Sequence, residues 1–234
     1  GGEGTGPATL ELLDPMGGSS ALLGATLAVG LDDLAATRLP DGRVFIVGGQ
    51  NTATGDTVAT TYLLDPVFDS IAPGPLVPQR PGGLADHQLL RFGPYILVLG
   101  GEQQASGIDT ILDYVGLFDG RIDTWVDTGT MLYLHDDFAL APLGRCRVLL
   151  IGGGVPLAGN EVPSRTCEIL TVTLADACRP GDLDNDDDVD VRDFGALAEC
   201  LRGPGVGPVC FECRPADLDD DGDVDLWDVA LLAR

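Results

Sequence analysis

Short apolar runs separated by polar, glycine-rich stretches make up the first three quarters of the chain. Three of these runs end in a pair of glycines, at residues 43–49, 95–101 and 147–153, and the glycine pairs stand 52 residues apart both times. Runs of this length between turn-forming residues predict β-strands. The constant spacing predicts a structural unit that repeats along the chain.

Each repeat contains further strand-forming runs around its glycine-paired run. One run precedes it, a second follows it after a polar loop, and a weaker third comes last. These runs are found at residues 34–39, 87–91 and 138–143, at residues 60–66, 114–120 and 168–172, and around Ile71 and Trp125. Tight turns such as Pro40-Asp41-Gly42 join neighbouring runs. We therefore expect four antiparallel strands in each full repeat.

A four-stranded unit with this period, whose second strand ends in a glycine pair, resembles the kelch repeat of β-propellers. The resemblance implies that each repeat forms one blade and that the glycines let the chain turn away where neighbouring blades crowd together. It covers nearly all of residues 1–177, which we expect to form one β domain. An unrelated β-sandwich is the alternative.

The number of blades is unusual for a propeller. Residues 8–15 match the third strand of a repeat and residues 20–29 would form the fourth, so half a blade precedes two full blades and a three-stranded one. These add up to a partial propeller of about three and a half blades, whereas a closed ring usually has about four to eight. Either the chain is a piece of a longer one, or copies exchange strands and form a homo-oligomer or filament.

Two aspartate-rich segments of twelve residues, 182–193 and 217–228, follow the β region. Both place Asp at positions 1, 3, 5, 9 and 12, the ligand spacing of an EF-hand calcium loop, in which position 7 contributes its backbone carbonyl. The predicted ligands at positions 1, 3, 5, 7, 9 and 12 are Asp182, Asp184, Asp186, Asp188, Asp190 and Asp193 in the first loop, and Asp217, Asp219, Asp221, Asp223, Asp225 and Asp228 in the second.

So many carboxylates in a short segment repel one another unless a hard cation lies among them. Calcium accepts six to eight oxygen ligands, so the sequence predicts two Ca²⁺ sites. Position 6 requires a positive φ, which Gly222 adopts freely and Asp187 at some cost, so we expect the second loop to be better preformed. A solvated acidic linker is the alternative.

A short amphipathic helix is predicted to leave each loop, and none is predicted to enter either one. A duplicated calcium loop with only an exiting helix resembles a dockerin domain, here over residues 178–234. The resemblance implies that loop positions 10 and 11 contact a cohesin-like partner. These positions are Val191 and Arg192 in the first loop and Leu226 and Trp227 in the second.

Six cysteines, at positions 146, 167, 178, 200, 210 and 213, accompany the calcium loops. An even number of cysteines beside such loops indicates an oxidising, calcium-rich compartment, outside the cell or at its surface. We expect the pairs Cys200–Cys210 and Cys178–Cys213, which leave Cys146 with Cys167. Free, buried thiols are the alternative for some of them.

The formal net charge of −24 comes from 37 acidic residues, 14 of them in the two loops, against 13 cationic residues that are all arginine. This charge argues against binding to nucleic acid or to an anionic membrane surface. The sequence contains no apolar run long enough to span a membrane, so we expect no membrane insertion.

Residues suited to catalysis are few. His87 and His135 lie at different distances from their glycine pairs, so we expect them at strand starts, satisfied locally, rather than as ligands of a copper ion. Asp32-Asp33 and Asp136-Asp137 are typical of turns, with a catalytic carboxylate pair as the alternative. No GxSxG motif or phosphate-binding loop is present, and we identify no catalytic residue.

Two functions fit these features. The first is a secreted, non-enzymatic interaction protein, in which a propeller scaffold carries a calcium-stabilised module for docking or assembly. The second is the C-terminal part of a secreted enzyme, carbohydrate-active or an oxidase, that its dockerin-like module anchors in a complex. The fold alone does not distinguish them.

Overall fold

We describe the protein from a computed structural model. The structure describes residues 8–143, 147–157, 160–172, 181, 183, 189–205, 213, 216–219 and 221–233. The chain divides into two compact units. The first comprises Gly1–Leu140 and Leu150–Glu168, and the second comprises Ala141–Leu149 and Ile169–Arg234. The predicted domain boundary between residues 177 and 178 stays a prediction.

The protein is mainly β, as the sequence predicts. The described residues contain nineteen strands and two helices. The strands are β1 (Thr9–Asp14), β2 (Ser19–Thr26), β3 (Leu31–Asp32), β4 (Ala35–Arg38), β5 (Val44–Val47), β6 (Gln50–Asn51), β7 (Thr61–Asp65), β8 (Ser70–Pro73), β9 (Gln88–Phe92), β10 (Tyr95–Leu99), β11 (Glu102–Ala105), β12 (Ile108–Ile111), β13 (Tyr114–Asp119), β14 (Thr124–Thr130), β15 (Ala139–Pro142), β16 (Arg147–Ile151), β17 (Gly154–Leu157), β18 (Asn160–Pro163) and β19 (Cys167–Thr171). The helices are α1 (Val191–Cys200) and α2 (Leu226–Leu232).

The two full repeats each form a four-stranded sheet. The orders are β4-β5-β7-β8 and β9-β10-β13-β14, with antiparallel pairing throughout. Strands β15, β16 and β19 form a three-stranded sheet, and β1 pairs with β2 in a separate hairpin. The predicted strands of the two full repeats and of this hairpin are thus confirmed.

Strand β10 illustrates why apolar runs identify the inner strands. All five of its residues are buried, since neighbouring strands flank it and its two faces are both covered. A strand covered on both faces is expected to be apolar at every position rather than at alternate ones. The hairpin of β1 and β2 differs, because most of its side chains, including Leu13 and Leu22, are exposed.

Two small hairpins and one further strand pair, which the sequence does not predict, form beside the glycine pairs. β11 pairs with β12 and β17 with β18 as hairpins, whereas β6 pairs with β3, which precedes the first glycine pair. Segments such as Gln50–Asn51 and Glu102–Ala105 are largely polar, so hydrophobic periodicity gives no signal for them. Backbone pairing next to the glycines defines these small sheets.

The glycine pairs connect each repeat to the next one. The Gly49 N–H donates to the carbonyl oxygen of Leu84 at 2.9 Å, and the Gly101 N–H donates to that of His135 at 2.8 Å. Both glycines have positive φ, 102° and 86°. A Cβ on the first glycine of either pair, Gly48 or Gly100, would collide with the same carbonyl oxygen of the following repeat, and one on Gly49 or Gly101 would collide with the backbone of its own repeat. Glycine is therefore required here for conformation and for close approach.

A shared core lies between the sheets of the two full repeats. Phe45 of β5 stacks on Phe118 of β13 with ring centroids 4.0 Å apart, and Trp125 meets both rings edge-on. Arg43 adds a bidentate ion pair to Asp123, with both N–O distances at 2.8 Å. Aromatic packing and a bidentate ion pair thus join consecutive repeats.

In the second unit, a small apolar cluster supports the helices. Leu197 of α1 packs with Ala216 and Val224, which lie at the second acidic segment, and Leu232 of α2 contacts the same cluster. Among the described residues only three members of this cluster are fully buried, which is too few to stabilise the helices strongly. Neither helix, within the described residues, is long and apolar enough to cross a membrane.

His87 occupies a core position that is apolar in the other repeats. Its Cβ lies against Gly101 as that of Leu34 lies against Gly49 and that of Phe138 against Gly153. The side chain is 3% exposed, and neither ring nitrogen has a hydrogen-bond partner in the described structure. The expectation of local satisfaction is wrong for His87, and burial lowers its pKa to about 3.

We predict that His87→Leu raises the free energy of unfolding by about 1–3 kcal/mol at pH 8, because it removes buried, unsatisfied nitrogens. The gain is expected to be larger at pH 5. A histidine whose folded pKa lies near 3, below its ordinary 6.5, destabilises the fold increasingly as the pH falls below 6.5. Urea denaturation at both pH values measures these differences.

His135→Leu is the matched control. His135 is equally buried, but its Nδ1 lies 3.0 Å from the Gly152 carbonyl oxygen and donates to it. This substitution is therefore expected to lower stability. A loss of stability in His87→Leu at both pH values would contradict the assignment of His87 as an unsatisfied core residue.

Candidate metal centre

Both helices begin with the same arrangement of aspartates. Asp190 and Asp225 are the N-caps of α1 and α2, and their carboxylates accept the backbone N–H two residues later, at 2.6 and 2.7 Å. Asp193 and Asp228 accept the N–H of these caps in return, both at 2.7 Å. Two reciprocal capping boxes thus place positions 9 and 12 of each predicted loop at a helix start.

The other oxygen of each position-12 aspartate holds the beginning of its own loop. The Leu183 N–H donates to Asp193 Oδ1 and the Leu218 N–H to Asp228 Oδ1, both at 2.5 Å. Asp193 and Asp228 are completely buried. Each segment is therefore closed into a loop at the start of its helix, and both loops close in the same way.

The six predicted ligands of the second loop form two groups of three. The groups are Asp217, Asp219 and Asp221, and Asp223, Asp225 and Asp228. Within each group, one carboxylate oxygen from every residue lies within 4.8 Å of the other two. A spacing of this size fits oxygens around one Ca²⁺, because Ca–O distances are about 2.3–2.6 Å.

Asp217 supplies an independent sign that a cation belongs in the loop. The residue is 7% exposed, and its Oδ2 accepts the Gly222 N–H at 3.1 Å. Its Oδ1 is buried and has no hydrogen-bond partner in the described structure. Gly222 has φ of 94°, as predicted for position 6. A buried, unpartnered carboxylate oxygen is costly unless a cation compensates for it.

The electrostatics of the second loop favour the same interpretation. Desolvation raises the pKa of Asp219 above its ordinary value, and the charges of Asp221, Asp228 and Asp217 add to this effect. No arginine forms an ion pair with the loop carboxylates in the part of the chain that the structure describes. The donor set consists of oxygens alone, which suits a hard cation such as Ca²⁺.

The first loop is described only in part. Asp190 and Asp193 hold the same positions as Asp225 and Asp228. The remaining predicted ligands, Asp182, Asp184, Asp186 and Asp188, lie outside the described residues.

A disulfide joins the end of α1 to the segment before the second loop, and its pairing corrects the prediction. Cys200 bonds to Cys213, not to Cys210, and so Cys178 does not pair with Cys213. Cys200 ends α1 and Cys213 is buried, with their Cα atoms 5.4 Å apart. Sequence proximity favours Cys210, but packing of the helix end decides the partner.

The other cysteines complete this correction. Cys167 is free and exposed, so the predicted pair Cys146–Cys167 is wrong. Cys146, Cys178 and Cys210 lie outside the described residues.

The predicted partner-binding residues lie at the exposed starts of the helices. Val191, Leu226 and Trp227 are 78%, 72% and 68% exposed, and Arg192 is exposed as well. Trp227 therefore does not belong to the small core of this unit. Both helix starts thus expose side chains at equivalent positions, and we call residues 191, 192, 226 and 227 together the helix-start surface.

His135, one of the two histidines considered as possible copper ligands, lies beside a carboxylate of the β repeats. His135 Nε2 lies 3.7 Å from a carboxylate oxygen of Glu168, which also accepts the backbone N–H groups of Leu132 and Tyr133. Glu168 thus connects β19 to the segment before β15. The predicted local satisfaction thus holds for His135 Nδ1, which donates to the Gly152 carbonyl oxygen, whereas Nε2 has no hydrogen-bond partner among the described residues.

Sequence reasoning misses one acidic residue of the repeats, Asp86. Its backbone φ is 53°. Asp33 and Asp137, which hold the same position in the other repeats, both have a φ of 50°. Burial raises the pKa of Asp86 to about 7, and the charges of Asp33 and Asp137 add to this shift. The repeat period gives the signal, since an acidic residue stands at this position each time.

Comparison with known proteins gives one result on the fold. No protein-family model and no curated protein matches the chain. Among solved structures, "Structure of YjhT" resembles it with a TM-score of 0.54 and 17% identity, over 65% of this chain and 54% of the neighbour. The chain spans about half the length of that neighbour, and the likeness concerns the fold alone. Fold and site together define a mainly β protein with an acidic loop–helix unit.

The disulfide gives a direct prediction for peptide mapping. Cleavage after Arg202 and Glu212 separates the fragments that contain Cys200, Cys210 and Cys213. Without reduction, mass spectrometry is expected to find the Cys200 fragment linked to the fragment that begins with Cys213. A link from Cys200 to the fragment that ends at Glu212 would contradict the structure, and the reduced sample provides the control.

Proposed function

We propose that the C-terminal unit is a calcium-binding module of the dockerin type. The observation that carries this proposal is the second loop, where six carboxylates form two groups and Asp217 Oδ1 is buried with no hydrogen-bond partner among the described residues. The repeated capping boxes support a second, equivalent site at the first loop. When bound, Ca²⁺ would supply the positive charge that these oxygens lack.

The loop residues have distinct roles in this proposal. Asp217, Asp219 and Asp221 offer side-chain oxygens at the start of the loop, and Gly222 allows the turn between them and α2. Asp228 holds the loop start and the helix cap together through its two oxygens. Because the apolar cluster of this unit is small, we infer that folding depends on the cation.

We further propose that the protein as a whole is a secreted, non-enzymatic interaction protein. The four-stranded sheets linked through glycine pairs support kelch-like propeller blades as its scaffold. The disulfide Cys200–Cys213 supports an extracellular location. The helix-start surface is the proposed docking site for a cohesin-like partner or a second copy.

The proposed calcium-binding function predicts the effect of removing calcium from the intact chain. EDTA is expected to abolish the helical circular-dichroism signal and the protease resistance of residues beyond 178, since uncompensated carboxylates then repel one another. Limited proteolysis with mass spectrometry locates the cuts. Asp217→Ala is expected to reduce calcium affinity more than Asp182→Ala, because Gly222 favours the second loop. Unchanged protease resistance in EDTA would refute the proposal.

The proposed docking role of the helix-start surface predicts the effect of removing Trp227. Trp227→Ala is expected to abolish self-association or binding to cohesin domains, because a large exposed aromatic side chain is a typical interface anchor. Sedimentation and calorimetry in calcium measure these interactions. Calcium affinity is expected to stay within about threefold of the parent value, since Trp227 is 68% exposed and supplies no side-chain oxygen. Loss of calcium binding would instead assign Trp227 a structural role.

A further inference from the structure

Asp223 has a side chain with an unusual environment for loop position 7. An EF-hand loop uses only the backbone carbonyl at this position, so its side chain is free to point to solvent. Asp223 is instead only 9% exposed. One of its carboxylate oxygens lies within 4.8 Å of a carboxylate oxygen of Asp225 and of Asp228. The side chain therefore belongs to the acidic site.

The two oxygens of Asp223 have different surroundings. Oδ2 accepts the backbone N–H of Gly205 at 2.5 Å. Oδ1 is buried and has no hydrogen-bond partner in the described structure. No ion pair to an arginine compensates for its charge within the described residues. A buried carboxylate of this kind needs a cation near the free oxygen.

Gly205 belongs to the segment that directly follows α1, residues 201–205. This segment makes two more hydrogen bonds to the second loop: the N–H groups of Arg202 and Gly203 donate to the carbonyl oxygen of Val224 at 3.1 and 3.2 Å. Asp223 and Val224 thus receive three backbone N–H groups from the segment. The geometry connects the end of α1 to positions 7 and 8 of the second loop.

We propose that the Asp223 carboxylate is a cation-binding group of the second loop. A cation bound there fixes residues 201–205 against that loop through the same carboxylate. This inference rests on the proposed function and extends it. In this proposal Oδ1 binds the cation while Oδ2 accepts the Gly205 N–H. One side chain therefore connects the cation to Gly205. Cation uptake by the second loop then orders the chain directly after the helix of the first loop.

The test uses the full chain with Tb³⁺ as the probe, because a lanthanide replaces Ca²⁺ and its luminescence is sensitised by the neighbouring Trp227. Hydrogen exchange of the Gly205 amide is the second readout. In the parent protein, this amide is expected to exchange slowly with the cation and rapidly in EDTA. The two readouts separate cation binding from the fixing of residues 201–205.

Two substitutions separate the two roles of Asp223. Asp223→Asn keeps an oxygen that accepts the Gly205 N–H but removes the charge. It is expected to weaken Tb³⁺ binding by about tenfold or more, with Gly205 still protected at saturating Tb³⁺. Asp223→Ala removes both functions, so protection of Gly205 is expected to be lost even at saturation.

Glu199→Gln is the matched control for charge, since Glu199 is an exposed carboxylate on α1. It is expected to change Tb³⁺ affinity by less than about threefold, because exposed charges are screened. The inference is overturned if Asp223→Asn binds Tb³⁺ as the parent does, or if Gly205 exchange is the same with and without the cation.

Asp217→Asn distinguishes failure of the inference about Asp223 from failure of the proposed calcium-binding function. A parent protein that binds no Tb³⁺ overturns both proposals. A parent that binds Tb³⁺, with binding lost in Asp217→Asn and unchanged in Asp223→Asn, overturns the role of Asp223 alone.

Discussion

Repulsion between closely packed carboxylates is the constraint on which the C-terminal unit depends. The second loop brings six aspartates together, and Asp217, Asp223, Asp225 and Asp228 are each less than a tenth exposed. Backbone N–H groups satisfy some of their oxygens, through the capping box of α2 and the bonds from Leu218 and Gly222. Oδ1 of Asp217 and of Asp223 has no hydrogen-bond partner among the described residues. The apolar cluster that the described residues form is small and offsets little of this charge, and the cation that we propose would supply the missing stabilisation.

The β repeats are held together in a different way, by backbone hydrogen bonds, aromatic packing and an ion pair between consecutive repeats. Each glycine pair gives a hydrogen bond to the following repeat, at Leu84 and at His135. The same carbonyl oxygens lie too close for any side chain at Gly48 or Gly100. Phe45 and Phe118 stack between the same two sheets. Close backbone approach at the glycines and aromatic packing thus act together between consecutive repeats.

The sequence predicts those elements whose signal is local. Buried strands such as β10 are continuous apolar runs, and Gly222 has the positive φ expected at position 6. The disulfide partner of Cys200 is not predictable in this way, because it depends on where α1 ends relative to Cys213. Neither is the burial of His87, which stands at a position occupied by Leu34 and Phe138 elsewhere. Asp223 shows the same limit, since position 7 predicts a carbonyl ligand and gives no information on its side chain.

The segment after α1 is constrained by a disulfide at one end and by hydrogen bonds to the second loop. The disulfide fixes Cys200, the last residue of α1, to Cys213, whereas Asp223 and Val224 accept the N–H groups of residues 202, 203 and 205. The disulfide limits how far the helix end can move in any state of the loop. The bond from the Gly205 N–H, by contrast, depends on Asp223 remaining buried, and a buried carboxylate charge is costly without a cation. In the calcium-bound form that we propose, the cation would only have to order a segment that the disulfide already holds nearby, so the entropy lost on binding would be small. This division would let a unit with a small apolar cluster respond to calcium while its two loops stay connected.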